Sequence, residues 1–451
     1  FGYTFDEHYD RRGFMRLTIE RMGYGADGIA HTDEGKTVFV AGGVVGDVVD
    51  AELTSDGLSF SRARATNIIE PSGMRVTPPC PFVGVCGGCP WGALGRETQL
   101  HAKEENLRSA LQRIGHFTPE EINDLVQPIR YTKDAWGYRN KVELGVHSEN
   151  GRLRLGMHGI DPDQIIKVDR CPLFESTASK AIKAVTGALS YLGNSRDLNL
   201  ERVGIRASRR TKALEVALWT PTGGFPRAHV ARVLDDAVKP TSVVRVLTKG
   251  DRAARRVEKN ELLAGQGSWT ERIGEETMRI SAPSFFQVNT AAAELLIELV
   301  VDALKPGPDD VALDLYCGAG TFTLPLARRC SWVAAVESYG PAVRDLRRNI
   351  ERAGLDNVDA IGGDAVREFP GDDADVLVVD PPRAGLAAEA IELIAGTSAR
   401  DVAYVSCDPA TLARDLARFR EDGTFKATAI TPVDLFPQTY HCETVVHLSR
   451  A

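Results

Sequence analysis

Val311-Ala-Leu-Asp-Leu-Tyr-Cys-Gly-Ala-Gly-Thr-Phe322 reads as a strand, a tight glycine turn and a helix start that continues as Thr-Leu-Pro-Leu-Ala-Arg-Arg. An apolar run that stops at an acid and glycines, then shifts to helical spacing, is the βα unit of a doubly wound sheet. Gly318 and Gly320 let backbone pass close to a ligand, and the helix behind them offers free N–H groups there. A second apolar run, Trp332 to Val336, ends in Glu337. An acid at a strand tip about 20 residues past the glycines is placed to hold ribose hydroxyls. The third glycine of a dinucleotide fingerprint is missing, because Thr321 and Phe322 follow directly. That favours an adenosine ligand without a pyrophosphate.

Around this unit, strands and helices alternate from Asp309 onward, so functional residues are expected at the carboxyl ends of the strands. Ser284-Phe-Phe-Gln287-Val-Asn289 precedes an apolar helix; Gly362-Gly-Asp364 follows the second strand pair. Asp380-Pro-Pro382-Arg383 and Cys407-Asp-Pro409 each close an apolar strand, and Glu443 precedes the last one. An aromatic after Asp380-Pro-Pro382 would suit amino-group methylation of a base; Arg383 argues against that chemistry. A thiol just ahead of a helix is expected to be shifted toward thiolate by the helix N–H dipoles. Taken singly, Cys407 reads more readily as a small core residue and Glu443 as an ordinary strand-start acid.

At 451 residues the chain has room for about three domains. No apolar run is long enough to span a bilayer and no charged-then-apolar leader is visible, so a cytoplasmic monomer is expected. The net charge of −8 argues against a nucleic-acid partner, but residues 196–259 hold 15 Lys/Arg against 7 Asp/Glu. That stretch is either a phosphate-binding surface or a solvated charged face.

Residues 8–70 show short strand-like runs between glycine turns, the pattern of an OB-like barrel. Its charge is not basic, 7 Lys/Arg against 10 Asp/Glu, so RNA contact there would rest on a few arginines such as Arg62 and Arg64. Cys80, Cys86 and Cys89 follow in C-x5-C-x2-C spacing, with Cys171 far downstream, and three of the four precede proline. Only one C-x2-C pair exists, which favours a [4Fe–4S] cluster over structural zinc; unligated thiols are the third option. Gly95 to Ile114 is an amphipathic helix with Leu100, Leu107, Leu111 and Ile114 on one stripe. Trp136-Gly-Tyr138-Arg139-Asn140-Lys141 suits either base stacking with phosphate contacts or a strand end with a buried Trp.

Val311–Phe322 resembles the first motif of S-adenosylmethionine-dependent methyltransferases, and ERMGYGADGIAH with VFVAGGVVGDVVDAEL resembles the TRAM domain, an RNA-binding barrel. FFQVN, LDLYCGAGTF, the Glu337 strand end, DPPRAGL, SCDPATLARDL and FPQTYHCETVVHL together resemble the RNA uracil-5-methyltransferase family over nearly the whole chain. The resemblance implies a class I α/β methyltransferase domain at 283–451, behind a TRAM-like barrel at 8–70 and a mixed α+β region at 71–282. It implies Cys407 as nucleophile and Glu443 as the base that removes the C5 proton. Gln287, Tyr316, Glu337 and Asp380 would line the S-adenosylmethionine site, with Gly318, Thr321 and Asp364 as further candidates. Cys80, Cys86, Cys89 and Cys171 would hold the cluster. Within the family, barrel and cluster cysteines go with 23S rRNA enzymes, so rRNA is expected over tRNA. A tRNA enzyme, a silent RNA-binding Fe–S protein and a redox carrier are the alternatives. Asp408 and Cys442 stand where the family often has Asn and Val, and Thr321 where some members have Asn.

Overall fold

The computed structural model describes residues 14–149, 152–250, 256–371 and 373–451. The opening stretch lies in an eight-stranded sheet. Its order is Val358–Gly362, Trp332–Glu337, Val311–Leu315, Val376–Val379, Asp401–Ser406, Glu443–Arg450, Phe425–Asp434 and Arg130–Tyr131. The first five run parallel, and Glu443–Arg450 is inserted antiparallel to both neighbours. Strand order reverses between Val311–Leu315 and Val376–Val379, so the switch-point crevice of a doubly wound sheet opens there. Alternate side chains serve opposite faces, as the two-residue period of a strand requires. Leu313, Leu315, Leu377 and Val379 enter one core cluster; Ala312, Val376 and Val378 enter another.

Residues 96–131, grouped by sequence with 71–282, pack instead against this sheet. Leu107, Ala110 and Leu111 of the helix Arg96–Arg113 share a core with Leu313 and Tyr404, together with Phe117, Ile122 and Val126. Arg130–Tyr131 then adds a parallel edge strand beside Phe425–Asp434, two residues too short to be legible in sequence. Ile114, expected on the buried stripe, is exposed. The same helix buries three polar residues, Gln99, Lys103 and Asn106. The Lys103 ammonium ion-pairs with Asp434 and donates to Phe436 O at 3.0 Å. Gln99 Nε2 donates to Gln438 Oε1 at 3.0 Å, and the Gln438 N–H donates back to Gln99 Oε1 at 2.8 Å. Asp434 also ion-pairs with Arg96, so Asp434→Ala would leave both Lys103 and Arg96 without their countercharge and is expected to cost about 3–5 kcal/mol. Thermal denaturation checks this: Lys103→Met with Asp434→Leu should recover part of the loss, the rest remaining with Arg96.

The middle of the chain forms a seven-stranded sheet in the order Ile165–Ile166, Arg152–His158, Lys141–Glu149, Arg202–Ala207, Leu214–Pro221, Ser242–Lys249, Arg256–Gly265. Helices Ala181–Gly193 and Arg227–Val238 pack on it. The hairpin Trp269–Ile273/Glu276–Ile280 leads into the loop that carries Gln287. The charged stretch 196–259 is not a bare phosphate face. Arg206 is buried 3.8 Å from Glu215 and donates to Ser281 O at 2.9 Å. Arg245 is buried and donates to Thr220 Oγ at 2.6 Å. Arg209, Arg210 and Arg227 pair with Glu175, Glu294 and Glu261. All three of those acids lie outside the stretch, so a local charge count missed them; residues 251–255 lie outside the described part.

Six strands from Phe14–Thr18 to Phe60–Glu70 form one sheet around Leu17, Ile19, Val38, Val40 and Val49. Residues 8–13 of the expected barrel lie outside the described residues. No helix among them is long and apolar enough to cross a membrane.

Candidate active site

The glycine turn departs from ordinary backbone at three positions: Tyr316, Gly318 and Gly320 have φ of 64°, 59° and 103°. At Gly320 a Cβ would meet Leu324 Cδ1 at 2.5 Å, so the turn packs tightly onto its helix; at Gly318 the space is open. Glu337 closes the crevice. Its carboxylate accepts the Gly318 N–H at 2.9 Å and the Tyr339 N–H at 2.6 Å. Asp314 lies beneath, fully buried, accepting from Thr323 Oγ at 2.6 Å. Burial, offset in part by that hydroxyl, pushes its carboxyl up to about 8. Thr321, expected at the cofactor, is half-buried in the turn two residues before Thr323. Asp364 is exposed, caps its own turn through the Val366 N–H at 3.1 Å, and lies close enough to half-buried Tyr316 to raise its phenol.

Gln287 is buried, and its side-chain Oε1 has no partner among the described residues. Its loop is held from two sides. Asn140 Nδ2 donates to Gln287 O at 2.9 Å, and neighbouring Phe286 packs with Ala319 of the glycine turn. The Trp136–Lys141 run therefore has structural work: Tyr138 is buried with its hydroxyl on Pro437 O at 3.0 Å, and Trp136 packs beside Cys89 and Leu173.

Cys407, Glu443 and Asp380 come together at the carboxyl edge of the sheet. Burial first, then Asp380, pushes the Glu443 carboxyl up to about 8. Burial, then Glu337, pushes Asp380 up to about 7. The Cys407 thiol is pushed up to about 12 by burial and by Glu443, Asp380 and Asp408, with Arg383 opposing. The expected help from the helix N-terminus is absent for a visible reason. Asp408 is the N-cap of Pro409–Asp422, and its carboxylate takes the Ala410 and Thr411 N–H groups at 3.0 and 3.2 Å.

Sequence reasoning missed the groups that hold this loop. Asp408 accepts from Arg383 Nε at 3.3 Å and from the Tyr24 hydroxyl at 3.2 Å, and Tyr24 also reaches Cys407 O at 3.4 Å. An Asp in place of Asn is thereby given a cation and a hydroxyl. Tyr24 comes from the N-terminal barrel, and only its place in the fold reveals it. Tyr24, Tyr440 and His441 form an aromatic row, with centroids 5.6 and 4.2 Å apart. Burial and the nearby Arg383 and Lys103 charges hold His441 down at about 4, so it is neutral near pH 7. Cys442, by contrast, is a core thiol directed at Val433 O and Glu443 O.

Cys80, Cys86, Cys89 and Cys171 line one cavity of about 330 Å³ with Arg139 and Lys141. Burial and the other three sulfurs push the Cys89 thiol up to about 12. Among the described residues, no three His, Cys, Asp or Glu side chains converge on a single metal ion. Four thiols on one cavity are the donor type that both structural zinc and a [4Fe–4S] cluster take.

Two family profiles match the chain: tRNA (uracil-5-)-methyltransferase over residues 268–370 and 371–451, and the TRAM domain over 12–66. An uncharacterized RNA methyltransferase of Thermosynechococcus vestitus is 32% identical over 440 residues, covering 94% of this chain and 97% of the relative. One from Gloeobacter violaceus is 33% identical over 450 residues, covering 97% and 96%. The crystal structure of Pyrococcus abyssi tRNA (uracil-54, C5)-methyltransferase with S-adenosyl-L-homocysteine superimposes with a TM-score of 0.74 at 24% identity, covering 96% of this chain and all of that one. An adenosine crevice at a switch point, a TRAM barrel ahead of it and relatives matched end to end lead to one assignment: this protein belongs to the S-adenosylmethionine-dependent RNA uracil-5-methyltransferase family.

Proposed function

We propose that the enzyme methylates C5 of a uridine in 23S rRNA through a covalent bond between Cys407 and C6. The observation that carries this reading is the meeting of Cys407, Glu443 and Asp380 at one sheet edge. Glu337, Asp380, the Tyr316–Gly318 turn, Gln287, Thr321 and Asp364 would hold S-adenosylmethionine. Free Gln287 Oε1 and the open space at Gly318 suit such a ligand. The bound cofactor supplies an electrophilic methyl group.

Uracil C5 is a weak nucleophile. Cys407, its proton lost to solvent, adds to C6, and the C5=C6 pair moves into a C4 enolate with density on C5. Once C5 carries the methyl group, Glu443 takes the C5 proton. That electron pair re-forms C5=C6, the thiolate leaves, and Glu443 returns its proton to water. The uridine must be unpaired or flipped, at a cost of about a few kcal/mol if it was stacked.

The sign of the pH dependence follows. Both the Cys407 thiol, raised to about 12, and Glu443, raised to about 8, act only when ionised, so turnover should fall about tenfold per pH unit just below 12 and more steeply, toward about a hundredfold per unit, below 8. A slope that does not steepen below about 8 would remove Glu443 as the base.

The rRNA choice rests on the family resemblance of the barrel together with the cluster cysteines. The Pyrococcus tRNA enzyme aligns over 96% of this chain, and the matching family profile is also named for tRNA, which makes tRNA the second reading. Labelled S-adenosylmethionine with unmodified 23S rRNA and tRNA transcripts, followed by nucleoside analysis, decides. Label in 5-methyluridine of 23S rRNA is expected; label in tRNA alone overturns the rRNA choice, and no 5-methyluridine at all overturns the function.

Cys80, Cys86, Cys89 and Cys171 are proposed to hold a [4Fe–4S] cluster as a fold or RNA-binding element. Protein purified without oxygen should carry about four iron and four sulfide per chain. Stoichiometric zinc without sulfide would refute the cluster.

A further inference from the structure

Where barrel and sheet meet, a groove of about 430 Å³ opens beside the Cys407 loop. Arg21, Phe39 and Phe60 line it from the barrel, Asn106 and Arg113 from the helix Arg96–Arg113, and Pro409 from the helix that follows Cys407. Phe60 leaves 44% of its surface exposed. Its ring stands edge-on to Phe39 at 5.5 Å, and the Arg62 guanidinium lies 5.5 and 5.9 Å from the two ring centres. Asn106 is only 7% exposed, yet its Nδ2 has no partner among the described residues. Buried amides are otherwise almost always hydrogen-bonded, so this one is a donor without its acceptor. No carboxylate lines the groove among the described residues.

Arg62 itself is paired with Asp27 at 3.1 Å, but the exposed Phe60 ring with the Arg21 and Arg113 guanidinium groups, and no acid in the described lining, makes a platform for an unstacked base and its phosphate. The groove also adjoins the chemistry. Tyr24, which lines it, reaches Cys407 O at 3.4 Å. We propose that this groove is a second nucleotide subsite, holding a base of the same RNA strand that flanks the methylated uridine. The base stacks on Phe60, one of its carbonyls accepts from Asn106, and the phosphate meets Arg21 and Arg113. This rests on the RNA-methylating reading above and adds where the neighbouring nucleotide goes.

The test uses the full chain and a series of target oligonucleotides with one abasic site moved through the positions beside the uridine. For the unaltered enzyme, one position should raise the KM and the Kd about tenfold. Phe60→Ala should raise both about tenfold on intact RNA and become indifferent to that abasic site, with the melting temperature unchanged. Arg21→Gln and Arg113→Gln should each reduce the salt slope of binding by about one. If Phe60→Ala keeps the abasic profile of the unaltered enzyme, or the two losses multiply at every position, the subsite is wrong. Binding by anisotropy is read separately from methyl transfer. Absence of 5-methyluridine therefore sinks the catalytic reading, whereas a missing coupling sinks the subsite, as would failure to bind RNA at all.

Discussion

Cys407→Ala should eliminate methyl transfer, by at least about 10⁴-fold, and with it any RNA adduct that survives denaturation. Without the thiolate, C6 is never attacked and C5 never gains the density to take a methyl group. Cys407 is half-buried and its sulfur makes no core cluster, so the variant should fold and melt as the parent does. Binding of S-adenosylmethionine, measured by calorimetry, should also persist, because Glu337, Asp380 and Gln287 are untouched. Full activity of Cys407→Ala would sink covalent catalysis and leave the residue as strand-end packing. An N- or O-methyltransferase would give that result, since direct displacement needs no adduct.

Glu443→Gln should fail at the opposite end of the reaction. Attack and methylation proceed, but the C5 proton stays, so enzyme remains bound to methylated RNA. A denaturing gel should show a slow band that vanishes in the double variant with Cys407→Ala. Turnover should drop by about 10²–10⁴-fold. The stability effect has its own sign. The folded carboxyl is raised to about 8 against the ordinary 4.5, so the fold binds the proton that the unfolded chain releases between those values. Native stability from this group is full at low pH and is lost as pH climbs through 8. Gln cannot ionise, so the melting temperature of Glu443→Gln should fall less than that of the parent between pH 6 and 9. Equal falls would mean that Glu443 is not held in its neutral form.

The strand–turn–helix at Val311–Phe322 was legible because its signals are local: an apolar run, glycines where φ turns positive, an acid at the next strand tip. Asp380, Cys407 and Glu443 each stand at a strand terminus that the sequence marks, but their expected roles came only from the family resemblance. What stayed hidden is what distant segments do to those residues. The thiol was expected to be eased toward thiolate, but Asp408 spends the helix N–H groups on its own carboxylate and adds a charge beside the sulfur. Lys103 and Asp434 lie 331 residues apart, and nothing in either neighbourhood announces a buried pair. The arginines of 196–259 were counted without Glu175, Glu261 and Glu294, which only folding brings to them.

The contact from Tyr24 to Cys407 spans 383 residues, and Trp91 Nε1 donates to Gly25 O at 3.0 Å to fix the same barrel loop. On a ribosome the barrel is therefore finished long before its companion surface exists. At about 5–20 residues per second, roughly 20–80 s separate the synthesis of Tyr24 from that of Cys407. For that interval the Tyr24 ring and the groove beside it face solvent or chaperone. The barrel is also not an appendage that can be cut away cleanly. A chain shortened to begin after residue 70 would lose a hydroxyl from the loop that carries the nucleophile, so its lost activity would measure a damaged centre and RNA affinity at once. Replacing Tyr24 with Phe in the intact chain separates the two.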